Sequence, residues 1–168
     1  MSTPPKILIE LPAADEIDDL AITTPRFEVR KFEFDRRDEK ADLRYPPCKA
    51  QVVIVVKGPK GTALAPCGKE AWCVPSGMVG SAEEIPAAAK RIAKEGFGLY
   101  LRSIELAGMY DVIWHYAGLT VKRLHFAYAA VTEEDAAPSR NAVQFFIRPE
   151  EKVKDEISMA ALADCKEK

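Results

Sequence analysis

The 168-residue chain has four cysteines (Cys48, Cys67, Cys73 and Cys165) but no paired C-x-x-C, and its two histidines, His115 and His125, form no H-x-x-x-H. Zinc needs such clustered thiolates and imidazoles, so no structural zinc site is expected, and the cysteines read as reduced thiols of a cytoplasmic protein. Long apolar runs are absent too: none approaches the ~20 residues that cross a bilayer. The N-terminal run Lys6–Leu11 is too short in its apolar part for a secretory signal, and the acids Asp15, Glu16, Asp18 and Asp19 follow closely. Charge of one sign is not in excess, with 24 Lys+Arg against 26 Asp+Glu. A net charge of −2 supplies no field to gather duplex nucleic acid, although a local basic pocket stays open. There is no internal repeat and no low-complexity segment.

What is present describes an ordinary globular domain. Hydrophobic residues make up 48% and charged residues 30% of the chain, and its length suits one core better than two. Residues 1–45 are expected to form a strand-containing N-terminal arm and 46–168 the main domain. In the arm, Phe27, Val29, Phe32 and Phe34 alternate with charged residues but slip by one midway, which predicts a strand with a bulge. Arg36–Arg44 reads as a charged linker closed by Tyr45-Pro46-Pro47.

Beyond it the pattern is regular. Gln51–Lys57 (QVVIVVK) is a β-branched run bounded by Gly58, Pro59 and Gly61, the mark of a strand buried on both faces. Thr62–Pro66 is its short partner. Trp72–Pro75 leads into a glycine-bearing loop at 76–82, and a helix is predicted from Pro86 to Phe97 with Gly98 as its left-handed stop. Two long strands at 103–114 and 119–131 and a short one at 143–147 follow. Pro149 is read as the start of a last helix carrying Val153, Ile157, Ala160 and Ala161 at helical spacing. This order predicts an α/β fold, a mixed sheet between helices.

The most specific segment runs from Gly77 to Leu99. A glycine (Gly77) is followed after five residues by Glu83, after seven more by Arg91, and then by Glu95, Gly98 and Leu99. This resembles the Nudix box, G-x5-E-x7-R-E-U-x-E-E-x-G-U with U aliphatic, and Ala93 stands in for the first aliphatic residue. The resemblance implies the Nudix fold and a nucleoside-diphosphate-linked, nucleotide-like ligand. It also implies Mg2+ or Mn2+ on three helix glutamates and the loop-glycine backbone. Glutamates at i, i+3 and i+4 share one helix face, which is why that spacing gathers metal-binding oxygens; the metal then activates water against the anhydride.

The departures from the box are selective. The three ligand positions are Ile92, Glu95 and Gly96, so one carboxylate is left. The glutamate and glycine that usually precede the first box glutamate are Gly80 and Ala82. The architectural residues, Gly77, the Glu83–Arg91 pair and Gly98, remain. Loss of even a residue that supports a metal ligand costs ~10–100-fold in affinity or activity, and loss of two direct ligands costs more.

The expectation is therefore a Nudix-fold protein that binds such a ligand with weak or lost hydrolysis. Glu95, Glu83 and Arg91 are the candidate catalytic residues, Glu95 and Gly77 the candidate metal ligands, and Gly77, Arg123 and Trp114 the candidate phosphate or substrate contacts. The alternative is an active hydrolase that completes its metal site from Glu84, Asp111, Glu133, Glu134 or Asp135. The plainer readings stand beside these: Glu95–Arg91 as a solvated i, i+4 pair, Trp114 as hairpin packing, Arg123 as an exposed strand charge and His125 as a hydrogen-bonded strand residue. The arm is a candidate contact for a second copy or a protein partner.

Overall fold

Strand β2 (Ala50–Gly58) organises the molecule, because its valines and isoleucine are buried alternately on two opposite faces. Val52, Ile54 and Val56 belong to one core cluster, and Val53 and Val55 to the other. A continuous apolar run of this kind is stable only where both faces of a sheet are covered. The structure is a computed structural model and describes residues 29–37, 50–68, 70–139 and 141–166. The acidic stretch at 15–19, the linker from 38 onward and most of the 1–45 arm lie outside the described residues.

The other elements, in chain order, are β1 (Val29–Arg36), β3 (Gly61–Pro66), β4 (Trp72–Cys73), β5 (Ser76–Met78), α1 (Ile85–Phe97), β6 (Ser103–Tyr116), β7 (Leu119–Val131), β8 (Gln144–Phe146), a 3-10 turn (Pro149–Glu151) and α2 (Glu156–Asp164). They form an eight-stranded mixed sheet ordered β1-β6-β7-β2-β3-β4, with β5 on β2 and β8 on β3. β2 lies parallel to β7 and β1 parallel to β6, while β6 and β7 are antiparallel. The second edge of β2 is shared. Its start pairs with β5 and its end with β3, so the chain is brought back against β2 just before α1.

Helix α1 seals the first face with Ala88, Ala89, Ile92, Ala93 and Phe97. It ends where Gly98 adopts φ 66°, with Gly98 N–H donating to the Lys94 carbonyl and Leu99 N–H to the Ala93 carbonyl. That is the paired bonding of a left-handed cap, and Leu99 is buried beside it. Helix α2 seals the second face with Ala160, Ala161 and Cys165. Asp155 caps it by accepting from Ser158 N–H at 2.9 Å, and the Ser158 hydroxyl accepts from Val74 N–H.

Two sequence expectations change. β1 runs in unbroken register with β6, so the apparent slip is no bulge: Val29 packs against the α1-side cluster while Phe32 and Phe34 pack against the α2-side cluster. The bulge lies in β6, between Leu106 and Gly108, and inverts its alternation. The last helix does not start at Pro149. Val153 is held in a parallel bridge to Trp72, which takes it out of helical geometry, and α2 begins only after the Asp155 cap.

A Cβ on Gly98 would run into the Ala137 carbonyl, whereas Gly118, also left-handed at φ 75°, has open space around it. Gly98→Ala is therefore expected to lower unfolding free energy by more than about 2 kcal/mol and Gly118→Ala by about 1 kcal/mol, measured by chemical denaturation. Equal losses would contradict the close approach.

Candidate functional site

The loop from β5 to α1 is held by one ion pair. Arg91 donates from Nε to Glu83 Oε2 at 2.7 Å and from Nη2 to Glu83 Oε1 at 3.0 Å, a two-pronged contact. The same Nη2 reaches the Met78 carbonyl, and Glu83 Oε1 also accepts from Gly80 N–H. Hydrogen bonding to Arg91 is the main cause that holds the Glu83 carboxyl below its ordinary range. Glu83 and Arg91 thus tie loop to helix.

Gly77 stands opposite Val52 on β2, under α1. A Cβ placed there would come within 2.9 Å of Ile92 Cδ1 and Cγ2. Ile92 itself is only 6% exposed. A branched hydrocarbon therefore occupies the space over Gly77 where the box resemblance puts a carboxylate. Glu95 is exposed one helical turn further on, where its charge acts on Arg91. A Cβ at Gly96 would meet nothing within 4 Å.

These residues do not fit a divalent cation. Among the described residues no three His, Cys, Asp or Glu side chains gather closely enough to hold a metal ion. Two of the possible substitutes, Glu133 and Asp135, are engaged in ion pairs of their own. Glu133 bonds Arg102 at 2.6 Å and Asp135 bonds Lys60 at 3.0 Å. Both follow Val131, which opposes Lys57, whereas Gly77 opposes Val52. Five residues along a strand is roughly 16 Å.

Arg123 and Trp114 are brought together, but away from α1. On β7, Leu124, Phe126 and Tyr128 face the α1-side cluster, so Arg123 and His125 face the α2 side with Ala127. The Arg123 guanidinium lies 5.6 Å from the Trp114 ring centre, His125 lies 5.9 Å from that ring, and Phe34 stacks on it at 6.1 Å. His125 is 2% exposed and burial lowers its pKa to about 4, so it is neutral near pH 7. Its Nδ1 and Arg123 Nε are buried without a hydrogen-bond partner. His125 is the buried strand histidine the sequence predicts: a backbone hydrogen bond to Arg123 opposes the lowering by burial, while its Nδ1 stays unpaired. Unpaired buried polar atoms cost free energy, and so call for an explanation.

The sequence reading missed the rest of this face. Arg30, Tyr110, His125 and Gln51 stand side by side on β1, β6, β7 and β2, and Gln51 reaches Ser76 Oγ at 3.4 Å. Tyr110 donates to Asp164 Oδ2 at 2.7 Å, and Arg30 bonds the same oxygen. Polar residues at two-residue spacing from buried partners, such as Gln51 below Val53 and His125 below Ala127, were the available signal.

No protein-family model and no curated protein matches this sequence. Solved structures do match. The Nudix domain of Shewanella oneidensis NrtR, complexed with ADP ribose, aligns at TM-score 0.58 and 12% identity over 77% of this chain and 94% of that one. The MutT protein of Bacillus halodurans aligns at 0.58 and 17% over 68% and 79%. The Bacillus subtilis pyrophosphohydrolase BsRppH aligns at 0.54 and 19% over 77% and 88%. The chain has the Nudix fold.

Ala82 has φ 62°, a left-handed conformation at a position where the resembled box carries glycine. Ala82→Gly is expected to raise unfolding free energy by about 0.5–1 kcal/mol, strain relief outweighing the added freedom of the unfolded chain. Denaturant midpoints check this, and a loss of stability would contradict it.

Proposed function

We propose that this Nudix-fold chain binds a nucleoside-diphosphate-linked small molecule and has weak or lost metal-dependent hydrolysis. One observation carries the reading: Ile92 fills the space over Gly77, which leaves Glu95 as the one box carboxylate at the three ligand positions. Without gathered oxygens there is no means of neutralising anhydride charge and activating water together. No helix among the described residues is long and apolar enough to cross a membrane, which agrees with a ligand taken from water.

The ligand side of the reading draws on the α2 face. Arg123 Nε is a donor, and neutral His125 offers Nδ1 as donor or acceptor according to its tautomer. Two such atoms, two residues apart beside Trp114, suit the polar edge of a bound nucleoside, and an aromatic wall adds apolar contact. Both atoms are buried in the free protein, so the reading requires the two side chains to turn toward the ligand, whose polar edge then offsets the cost of leaving them unpaired. Glu83 and Arg91 act here as positioning residues that hold the Gly77 loop. An arm contact with a second copy or another protein remains part of the proposal, as residues 1–45 precede the sheet's main run and β1 lies at its edge.

The test is calorimetric titration with a panel of nucleoside-diphosphate-linked compounds, beginning with ADP-ribose, alongside assays for phosphate and nucleoside monophosphate release. Binding is expected to be indifferent to chelator and to Glu95→Gln, and about tenfold or more weaker in Arg123→Ala. Mg2+- or Mn2+-dependent turnover that disappears in Glu95→Gln would overturn the reading in favour of the active hydrolase.

A further inference from the structure

Cys67 and Cys73 flank the turn that joins β3 to β4. The strands pair Ala65 with Cys73 and Pro66 with Trp72, and Cys67 N–H donates to the Ala71 carbonyl at 3.0 Å. In an antiparallel ladder this puts Cys67 and Cys73 on the same face as diagonal neighbours, each side chain within the other's electrostatic reach. Both are free; Cys67 is exposed and Cys73 half-buried. A tighter turn at this sheet edge brings the two thiols into bonding range.

We infer that Cys67 and Cys73 are a reversible modification site, a dithiol that closes to an intramolecular disulfide on exchange with a low-molecular-weight disulfide. This inference is independent of the ligand reading. Diagonal neighbours have Cα atoms ~7–8 Å apart, somewhat wider than a disulfide accepts, so the turn must tighten. The surrounding backbone is suited to that. β4 is two residues long at the edge of the sheet, Gly68 is left-handed with nothing within 4 Å of a Cβ, and Glu70 is left-handed at φ 55°.

The exchange balances. The exposed Cys67, as thiolate, attacks one sulfur of the small disulfide, forming a mixed disulfide and releasing one small thiolate. Cys73 then loses its proton and attacks Cys67 Sγ, expelling the second small thiolate. The two protein thiols are oxidised by two electrons, the small disulfide is reduced to two thiols, and the protons pass to the thiols released. Burial first, then Cys67 and Asp155, hold the Cys73 thiol above its ordinary range. Closure therefore accelerates as pH rises.

The closed form is not confined to the turn. Trp72 bridges Val153, and Val74 N–H bonds Ser158 in the first turn of α2, so the hairpin and the helix share contacts. The experiment incubates the full chain in buffers of reduced and oxidised glutathione, quenches by alkylation and maps the peptides by mass. The expected result is a Cys67–Cys73 cross-link that forms faster at pH 8.5 than at pH 7 and reverses on reduction. Cys73→Ser should instead accumulate the mixed disulfide on Cys67. Oxidised wild-type protein should melt roughly 5 °C higher than reduced protein. Oxidation that stops at glutathionylated Cys67 in the wild type, or that pairs either residue with Cys48 or Cys165, overturns the inference.

Discussion

The contact of Ile92 with Gly77 determines what the rest of the structure can do. It is a small interaction, one branched side chain against one backbone position without a Cβ. Yet it lies where β5 returns to β2 and α1 crosses above them, so a change there would be felt by loop, helix and sheet together. Hydrocarbon buried at this point contributes to the α1-side core, along with Val52, Ala89 and Ala93. A carboxylate in the same place would have to be desolvated unless a cation or water met it. The chain has thus joined its loop to its helix by packing, while the Glu83–Arg91 pair holds the loop from the other end.

That choice divides the two faces of the sheet. The α1 face is apolar under the helix, and the one acid left at the box's ligand positions, Glu95, is exposed. The α2 face changes character along the strands. Under α2 it is closed by Val53, Val55, Ala127 and Ala161; one row further it becomes polar, with Tyr110, His125 and Gln51 in register. Asp164 at the end of α2 anchors the helix at the boundary by receiving both Tyr110 and Arg30. Gly108 leaves room for that carboxylate, since a Cβ there would lie 2.7 Å from Asp164 Oδ2. The bulge in β6 thereby serves the packing of α2.

Much of this was legible in the residues, for reasons that also mark where reading failed. QVVIVVK announced a strand covered on both sides because alternation is absent only when both faces are buried. Gly98 announced the end of α1 because few other residues take φ near 66° without strain. The spacing of Gly77, Glu83 and Arg91 located the loop. The last helix was misplaced because Val153 fits a helical apolar stripe as well as a bridge, and pattern alone does not reveal that Trp72 is its partner. The phenylalanines of β1 looked like a bulge because a strand serving two cores breaks simple alternation. The α2-side row was missed because its members come from four strands, and only the register brings them side by side. Trp114 and Arg123 were singled out from local chemistry, but their location on the face opposite α1 needed the topology.

Whether the space over Gly77 is a hydrocarbon seat or a cation seat is decided by titrating the protein with Mn2+ and following water proton relaxation, comparing wild type with Ile92→Glu/Gly96→Glu. The account predicts that the wild type holds Mn2+ no better than a lone surface carboxylate, and that the restored acids tighten it by about 100-fold or more. Tight Mn2+ binding by the wild type that vanishes in Glu95→Gln would contradict it.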